Sequence, residues 1–161
     1  MAIERVAVIG AGTMGAGIAQ VCAQAGWKTA LFDAFPDGLE RGMQRIDAFW
    51  DKGIARGKTT AEQKEAWAKN LRAEADMKTA VHDVDLVIEA VPEIPELKAK
   101  VFAQLDEMAL EHAILGTNTS SLSIASIAAA TNRPDKVIGM HFFNPVPIME
   151  LLELVRHEGT S

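Results

Sequence analysis

Gly10, Gly12 and Gly15 stand in a Gly-x-Gly-x-x-Gly run, and Asp33 follows them at roughly the twenty-residue interval of a dinucleotide fingerprint. An apolar run, Val6 to Ile9, precedes the glycines and a helical pattern follows them. In that setting each glycine has a task. Gly10 allows the tight turn, Gly12 lets backbone approach a pyrophosphate, and Gly15 lets the helix pack on the strand. Thr13 and Met14 open the helix, where free N–H groups and a partial positive charge favour phosphate oxygens. The carboxylate of Asp33 suits the hydroxyls of an adenosine ribose and opposes a 2′-phosphate. These residues point to a dinucleotide cofactor, and to NAD in preference to NADP.

A second set of reactive side chains comes later. In an open parallel sheet, ligands bind beyond the carboxyl ends of the strands. Four segments reach that edge: residues 89–93, 117–121, 141–145 and a last strand bearing Glu153. They bring Ser120, His141, Asn144 and Glu153 to one side, where a nicotinamide would lie. A hydrolytic triad of Ser120, His141 and Glu153 is the competing chemistry. It lacks a Gly-x-Ser-x-Gly elbow and leaves the glycine loop without a purpose.

The elements that must position these groups alternate. Strands read at residues 6–9, 29–33, 85–90, 113–116, 137–141 and 151–155. Helices read at about residues 13–25, 95–111 and 124–130, the first ended by Gly26. Residues 36–70 differ. Pro36 starts a helix that Gly53 and Gly57 break, and Thr60-Ala61-Glu62-Gln63 resembles a capping box opening another. That stretch reads as a helical hairpin projecting from the sheet. The expected fold is α/β: a Rossmann-type, doubly wound, mostly parallel sheet.

Composition sets outer bounds. The 161 residues carry a net charge of −6 and one cysteine, Cys22. An acidic chain argues against nucleic acid and anionic membranes as partners. No run approaches the roughly 20 apolar residues that a membrane span needs, and a lone cysteine gives no disulfide framework. The N-terminus lacks a signal-peptide pattern, so a cytoplasmic location is expected. No metal site is assigned. His82, His112 and His157 match no motif and read as surface residues, while Trp27, Trp50 and Trp67 read as packing anchors.

The run of Gly-Ala-Gly-Thr-Met-Gly at 10–15, Asn-Thr-Ser-Ser at 118–121, His-Phe-Phe-Asn-Pro at 141–145 and Glu153 resembles the NAD-binding domain of L-3-hydroxyacyl-CoA dehydrogenases. The resemblance covers essentially the whole chain. It implies an oxidoreductase that interconverts L-3-hydroxyacyl-CoA and 3-ketoacyl-CoA, in fatty-acid metabolism by β-oxidation, in butyrate or polyester metabolism, or in aromatic degradation. By the same resemblance His141 is the general base, Glu153 its carboxylate partner, Ser120 a hydrogen-bond donor to the substrate oxygen, and Asn144 a neighbour of nicotinamide and substrate. Glu93 and Lys98 are implied cofactor-side contacts, as are Ser120 and Asn144, and Lys98 is also placed towards the CoA. The hairpin resembles the family's CoA-binding arm, with Arg56 and Lys58 as candidate phosphate contacts.

Two features depart from the family pattern. Glu150 stands where members often carry Lys. The family's C-terminal helical domain, which supplies another active-site Asn and the dimer surface, is expected to be absent from this chain, the intact parent being a homodimer. Related alternatives are a dehydrogenase of a sugar acid or another short 3-hydroxy acid, and a non-catalytic NAD-binding module.

Overall fold

The computed structural model describes residues 2–119, 122–149 and 152–161. The first unit is the one the glycine run requires: strand β1 (Arg5–Ile9), helix α1 (Thr13–Gln24) and strand β2 (Lys28–Phe32). Four of the five residues of β1 and of β2 are buried, as expected of parallel strands covered on both faces. Gly26 has φ +95°. Its N–H donates to the Ala23 carbonyl and that of Trp27 to the Cys22 carbonyl, which is a Schellman ending.

Helices α2 (Pro36–Ala55) and α3 (Ala61–Ala68) form the hairpin. Thr60 and Gln63 make both bonds of the capping box. Gly53 does not break α2, which runs through it to Ala55; the turn comes at Gly57, with φ +72°. The root of the hairpin is packed. Leu39, Ile46 and Trp50 of α2 are buried in the cluster that holds Ile18 and Cys22 of α1, and the Trp50 indole donates to Gln24 at 2.9 Å. Lys64 pairs with Asp47 and Asp51 at 2.7 Å each, and the Trp50 and Trp67 rings lie 5.9 Å apart.

Strand β3 (Leu71–Glu74) and helix α4 (Met77–Val81) occupy a stretch where the sequence pattern shows no element. β3 is a four-residue edge strand with no fully buried residue, so it lacks the apolar run of the central strands. α4 is announced only by Asp76, whose carboxylate accepts from Thr79 N–H. The chain continues through β4 (Leu86–Glu89), α5 (Pro95–Met108), β5 (Ile114–Thr117), α6 (Ile124–Ala128), β6 (Val137–Phe142) and β7 (Leu152–Val155).

The seven described strands form one sheet in the order β3-β2-β1-β4-β5-β6-β7. All neighbours are parallel except β7, which returns antiparallel to β6. Successive residues of β1 point to opposite faces: Val6 and Val8 join the cluster under α1 and α2, while Ala7 and Ile9 join the one holding Phe102 and Leu105 of α5. Helices cover both faces. The order reverses at β1 and β4, which leaves a crevice beyond their carboxyl ends.

Candidate functional site: the carboxyl edge of the sheet

Gly10 has φ +106°, and a Cβ there would meet the Ala90 carbonyl oxygen at 2.7 Å. A Cβ on Gly15 would lie 1.6 Å from the Gly10 oxygen. Any side chain at either place breaks the turn from β1 into α1. A Cβ on Gly12 would meet nothing within 4 Å, because that position opens onto the crevice. No side chain caps α1, so the N–H groups of its first turn face the same space. Asp33, just past β2, accepts from Ala11 N–H at 2.8 Å and Phe35 N–H at 2.9 Å. These bonds fix the carboxylate against the glycine loop. Each of its oxygens keeps capacity for a further donor.

Two cavities run along this edge. One, of about 450 Å³, is lined by Gly10, Gly12, Asp33, Met77, Val91 and Leu97 among others. Its apolar walls and one carboxylate suit an adenine and its ribose. The other, of about 330 Å³, is lined by Met14, Glu93, Asn118, Thr119, His141 and Asn144 together with two phenylalanines. Met14 and Thr13 stand at the head of α1, and Met14 lines both cavities. A ligand bound at the glycine loop therefore reaches from one to the other. The residues fit a dinucleotide: an open backbone cradle, a helix N-terminus for its phosphates, and a pocket at either end.

His141 and Glu153 face each other across the β6–β7 ladder. Their Nδ1 and Oε1 atoms lie 3.7 Å apart. That is beyond a hydrogen bond and within ion-pair reach once the ring is protonated. The His141 ring is half-buried against Phe143, centroids 4.6 Å apart, and Glu153 is exposed. With Nδ1 turned to Glu153, Nε2 is the ring nitrogen left for a substrate. Asn144 follows in the turn and is exposed. Ser120 lies outside the described residues, as does Glu150.

Beneath this edge is a buried charged network. Glu89, Lys98 and Thr117 have no solvent exposure. Glu89 accepts from the Thr117 hydroxyl (2.6 Å), Lys98 Nζ (2.6 Å) and Val91 N–H (2.7 Å). Burial raises the Glu89 carboxyl above its ordinary range, outweighing the lowering by Lys98 and the two other donors. Lys98 also approaches the Asn118 carbonyl (3.4 Å) and Glu93 (3.7 Å). The expected direct contact of Lys98 with cofactor or CoA is therefore corrected. Its ammonium is enclosed by protein and meets the crevice through Glu93 and the Asn118 carbonyl. The Thr119 hydroxyl donates to Glu93, and the Asn118 amide oxygen accepts from Phe142 N–H at 3.2 Å. Glu89, Asn118 and Thr119 lie in segments that the sequence brings to this edge, but no role is read for them there; the one hint for Glu89 is an acidic residue closing an otherwise apolar strand. Arg56 and Lys58 are exposed at the hairpin turn, away from both cavities.

Fold and site together define a Rossmann-type dinucleotide-binding domain with a His–Glu pair at the carboxyl edge of its sheet. The model of the 3-hydroxyacyl-CoA dehydrogenase NAD-binding domain matches residues 5–161, and the chain belongs to that family. NAD is its cofactor. A probable 3-hydroxybutyryl-CoA dehydrogenase of Bacillus subtilis is 42% identical over all of the chain and 56% of its own length. A 3-hydroxyadipyl-CoA dehydrogenase of Escherichia coli is 46% identical over 99% of the chain and 33% of its own length. The chain thus spans between a third and about half of these relatives. The solved (S)-3-hydroxybutyryl-CoA dehydrogenase of Ralstonia eutropha superposes with a TM-score of 0.96 at 39% identity, over 99% of this chain and 56% of that one.

Proposed function

We propose that this domain serves an enzyme that oxidises L-3-hydroxyacyl-CoA to 3-ketoacyl-CoA, and runs the reverse reaction, with NAD(H). The observation that carries the reading is the His141–Glu153 pair on a cavity that also holds Met14 and Glu93. When bound, the cofactor accepts or gives a hydride at nicotinamide C4. The chain's own residues do the rest. The glycine loop and α1 hold the pyrophosphate, and Asp33 holds the ribose. His141 takes the 3-hydroxyl proton at Nε2 as the C3–H bond breaks, and gives it back in reduction. Glu153 stabilises the imidazolium and orients the ring, the His–acid logic of other enzymes. Ser120 donates to the substrate oxygen, and Asn144 and Glu93 border the nicotinamide. Lys98 holds Glu93 in place.

The names of the relatives support an acyl-CoA thioester as substrate, and fatty-acid β-oxidation is one setting that uses such a reaction. The helical domain that closes the site and forms a homodimer is what the family resemblance implies for the intact protein. The lone buried cysteine fits a reducing compartment, and we place the protein in the cytoplasm. No described helix is long and apolar enough to cross a membrane. The test is acetoacetyl-CoA-dependent oxidation of NADH by the protein carrying this domain in full. Turnover with the CoA ester and none with free acetoacetate supports the reading. Turnover of free short 3-keto acids alone contradicts it.

A further inference from the structure

The wall of the His141 cavity is anchored from outside the cavity. Residues 141–144 line that cavity, and the chain then turns. The N–H groups of Ile148 and Met149 both donate to the Pro145 carbonyl, at 3.1 and 2.9 Å, so residues 145–149 form one tight unit. Val146 alone of that unit is buried, in the cluster that holds Ala16, Ile18 and Ala19 of α1. Its seat on the helix is Gly17. A Cβ there would stand 2.9 Å from the Val146 Cβ and 3.3 Å from the Pro147 Cδ. Neither atom is the far end of a flexible side chain: one is a branch point beside the backbone, the other a ring carbon. Carbon atoms rest about 3.5–4.0 Å apart, so a side chain at position 17 displaces the turn by about half an ångström or more.

Gly17 follows Met14 by three residues, on the same side of α1, and Met14 lines the His141 cavity. The helix therefore meets this region twice, at the cavity and at the turn that follows its wall. Its head is also where the dinucleotide phosphates are read to bind. The Gly17–Val146 contact thus ties the wall and the cofactor to one rigid element. Asn144 depends on that tie. It is exposed, it stands two residues before Val146, and no side-chain hydrogen bond holds it among the described residues. His141 depends on it less, because the β6–β7 ladder fixes its backbone and the Asn118 amide holds the Phe142 N–H beside it.

We propose that Gly17 is a positioning residue for hydride transfer. Its bare surface seats Val146, and that seat fixes Asn144 relative to the nicotinamide. The proposal rests on the reading of Asn144 as a neighbour of nicotinamide and substrate. Gly17 then differs from Gly10 and Gly15. A side chain at either of those breaks the phosphate loop itself, whereas a side chain at position 17 leaves the loop intact and moves the wall facing the reaction.

The experiment measures kcat for acetoacetyl-CoA reduction and NADH affinity by fluorescence titration, on the protein carrying this domain in full. The variants are Gly17→Ala, Val146→Gly, the two combined, and Asn144→Ala. Gly17→Ala should lower kcat by about tenfold and leave NADH affinity within about threefold, because a misplacement of about 1 Å can cost up to about 10²-fold in rate. Val146→Gly should also lower kcat, since the turn loses its anchor. The combined variant moves the missing Cβ to the other side of the contact, and should lose less than the product of the two single losses. Losses that simply multiply overturn the proposal, as does a wild-type kcat in Gly17→Ala. Equal loss of NADH affinity and kcat overturns it too, and would assign Gly17 to the phosphate cradle. Where Gly17→Ala fails to fold, Val146→Gly decides: a lowered kcat with NADH affinity kept supports the seat, and an unchanged kcat overturns it. Asn144→Ala separates the seat from the reading beneath it. Wild-type turnover in Asn144→Ala removes that reading and the seat with it. A slowed Asn144→Ala beside an unaffected Gly17→Ala removes the seat alone.

Discussion

His141 and Glu153 are joined by strand pairing. In an antiparallel pair, directly opposite residues share a face, so register alone brings the ring and the carboxylate together. Glu153 is more than half exposed, and an ion pair at such a site is worth at most about 1 kcal/mol. Its contribution is then mainly orientation. Glu153→Gln should lower kcat by about tenfold with little change in NADH affinity, a smaller loss than removal of a general base. Steady-state kinetics beside NADH titration of the same samples check it; an unchanged kcat would free His141 from Glu153. Cys22 illustrates the opposite case, a reactive type made inert. Burial pushes its thiol up to about 12. Thiol reagents should leave the folded chain unlabelled at about pH 8 and label it on unfolding. Rapid labelling of folded protein would show that α1 does not pack as described.

At the scale of elements, the Glu89–Lys98 pair ties the end of β4 to α5 and, through Thr117 and Asn118, to the end of β5. Removing one partner of a buried pair costs about 3–5 kcal/mol. Lys98→Met should therefore destabilise the chain by that order. The sign of its pH dependence follows from Glu89, already raised by burial and raised further without its cation. A carboxyl whose folded pKa exceeds its unfolded one supports the fold while protonated, and that support is lost as pH rises through the folded value. The deficit of Lys98→Met should thus be largest at neutral and alkaline pH and shrink towards about pH 5, near the ordinary carboxylate range. Glu89→Gln/Lys98→Met should recover much of it. Denaturant melts across pH check both, and a pH-independent deficit would contradict the pairing. The network also marks the limit of sequence reading. The glycine run, Asp33 and the alternating elements were legible because each has a local signature. Lys98 stands on the helix face of Leu97 and Val101, and nothing local says that its ammonium turns inward to Glu89. β3 was illegible for a related reason. Leu71-Arg72-Ala73-Glu74 is a strand because β2 offers it an open edge, which is a tertiary fact.

For the whole molecule, the apolar surface is unevenly spread. Ile148, Met149, Leu152 and Leu154 are exposed along β7 and the segment before it, with Leu152 and Leu154 on the sheet face opposite to His141 and Glu153. Phe142 and Phe143 are half-buried, shared between the sheet and the cavity. Exposed apolar surface at a sheet edge invites association, and a reaction centre left open to water is weakened in its electrostatics. The 161-residue chain by itself should bind NADH, self-associate reversibly in sedimentation, and reduce acetoacetyl-CoA poorly. Leu154→Lys should weaken the association without changing NADH affinity. A monomeric chain at all concentrations would show that the patch is too small to drive contact.

The central claim is that His141 moves the proton that accompanies hydride transfer. The most direct measurement is the steady-state rate of acetoacetyl-CoA reduction by the protein carrying this domain in full, for wild type and His141→Ala, with NADH affinity measured on the same samples. The expected result is a fall in kcat of about 10²–10⁴ with NADH affinity within a few-fold of wild type. Turnover retained at near the wild-type rate would contradict it.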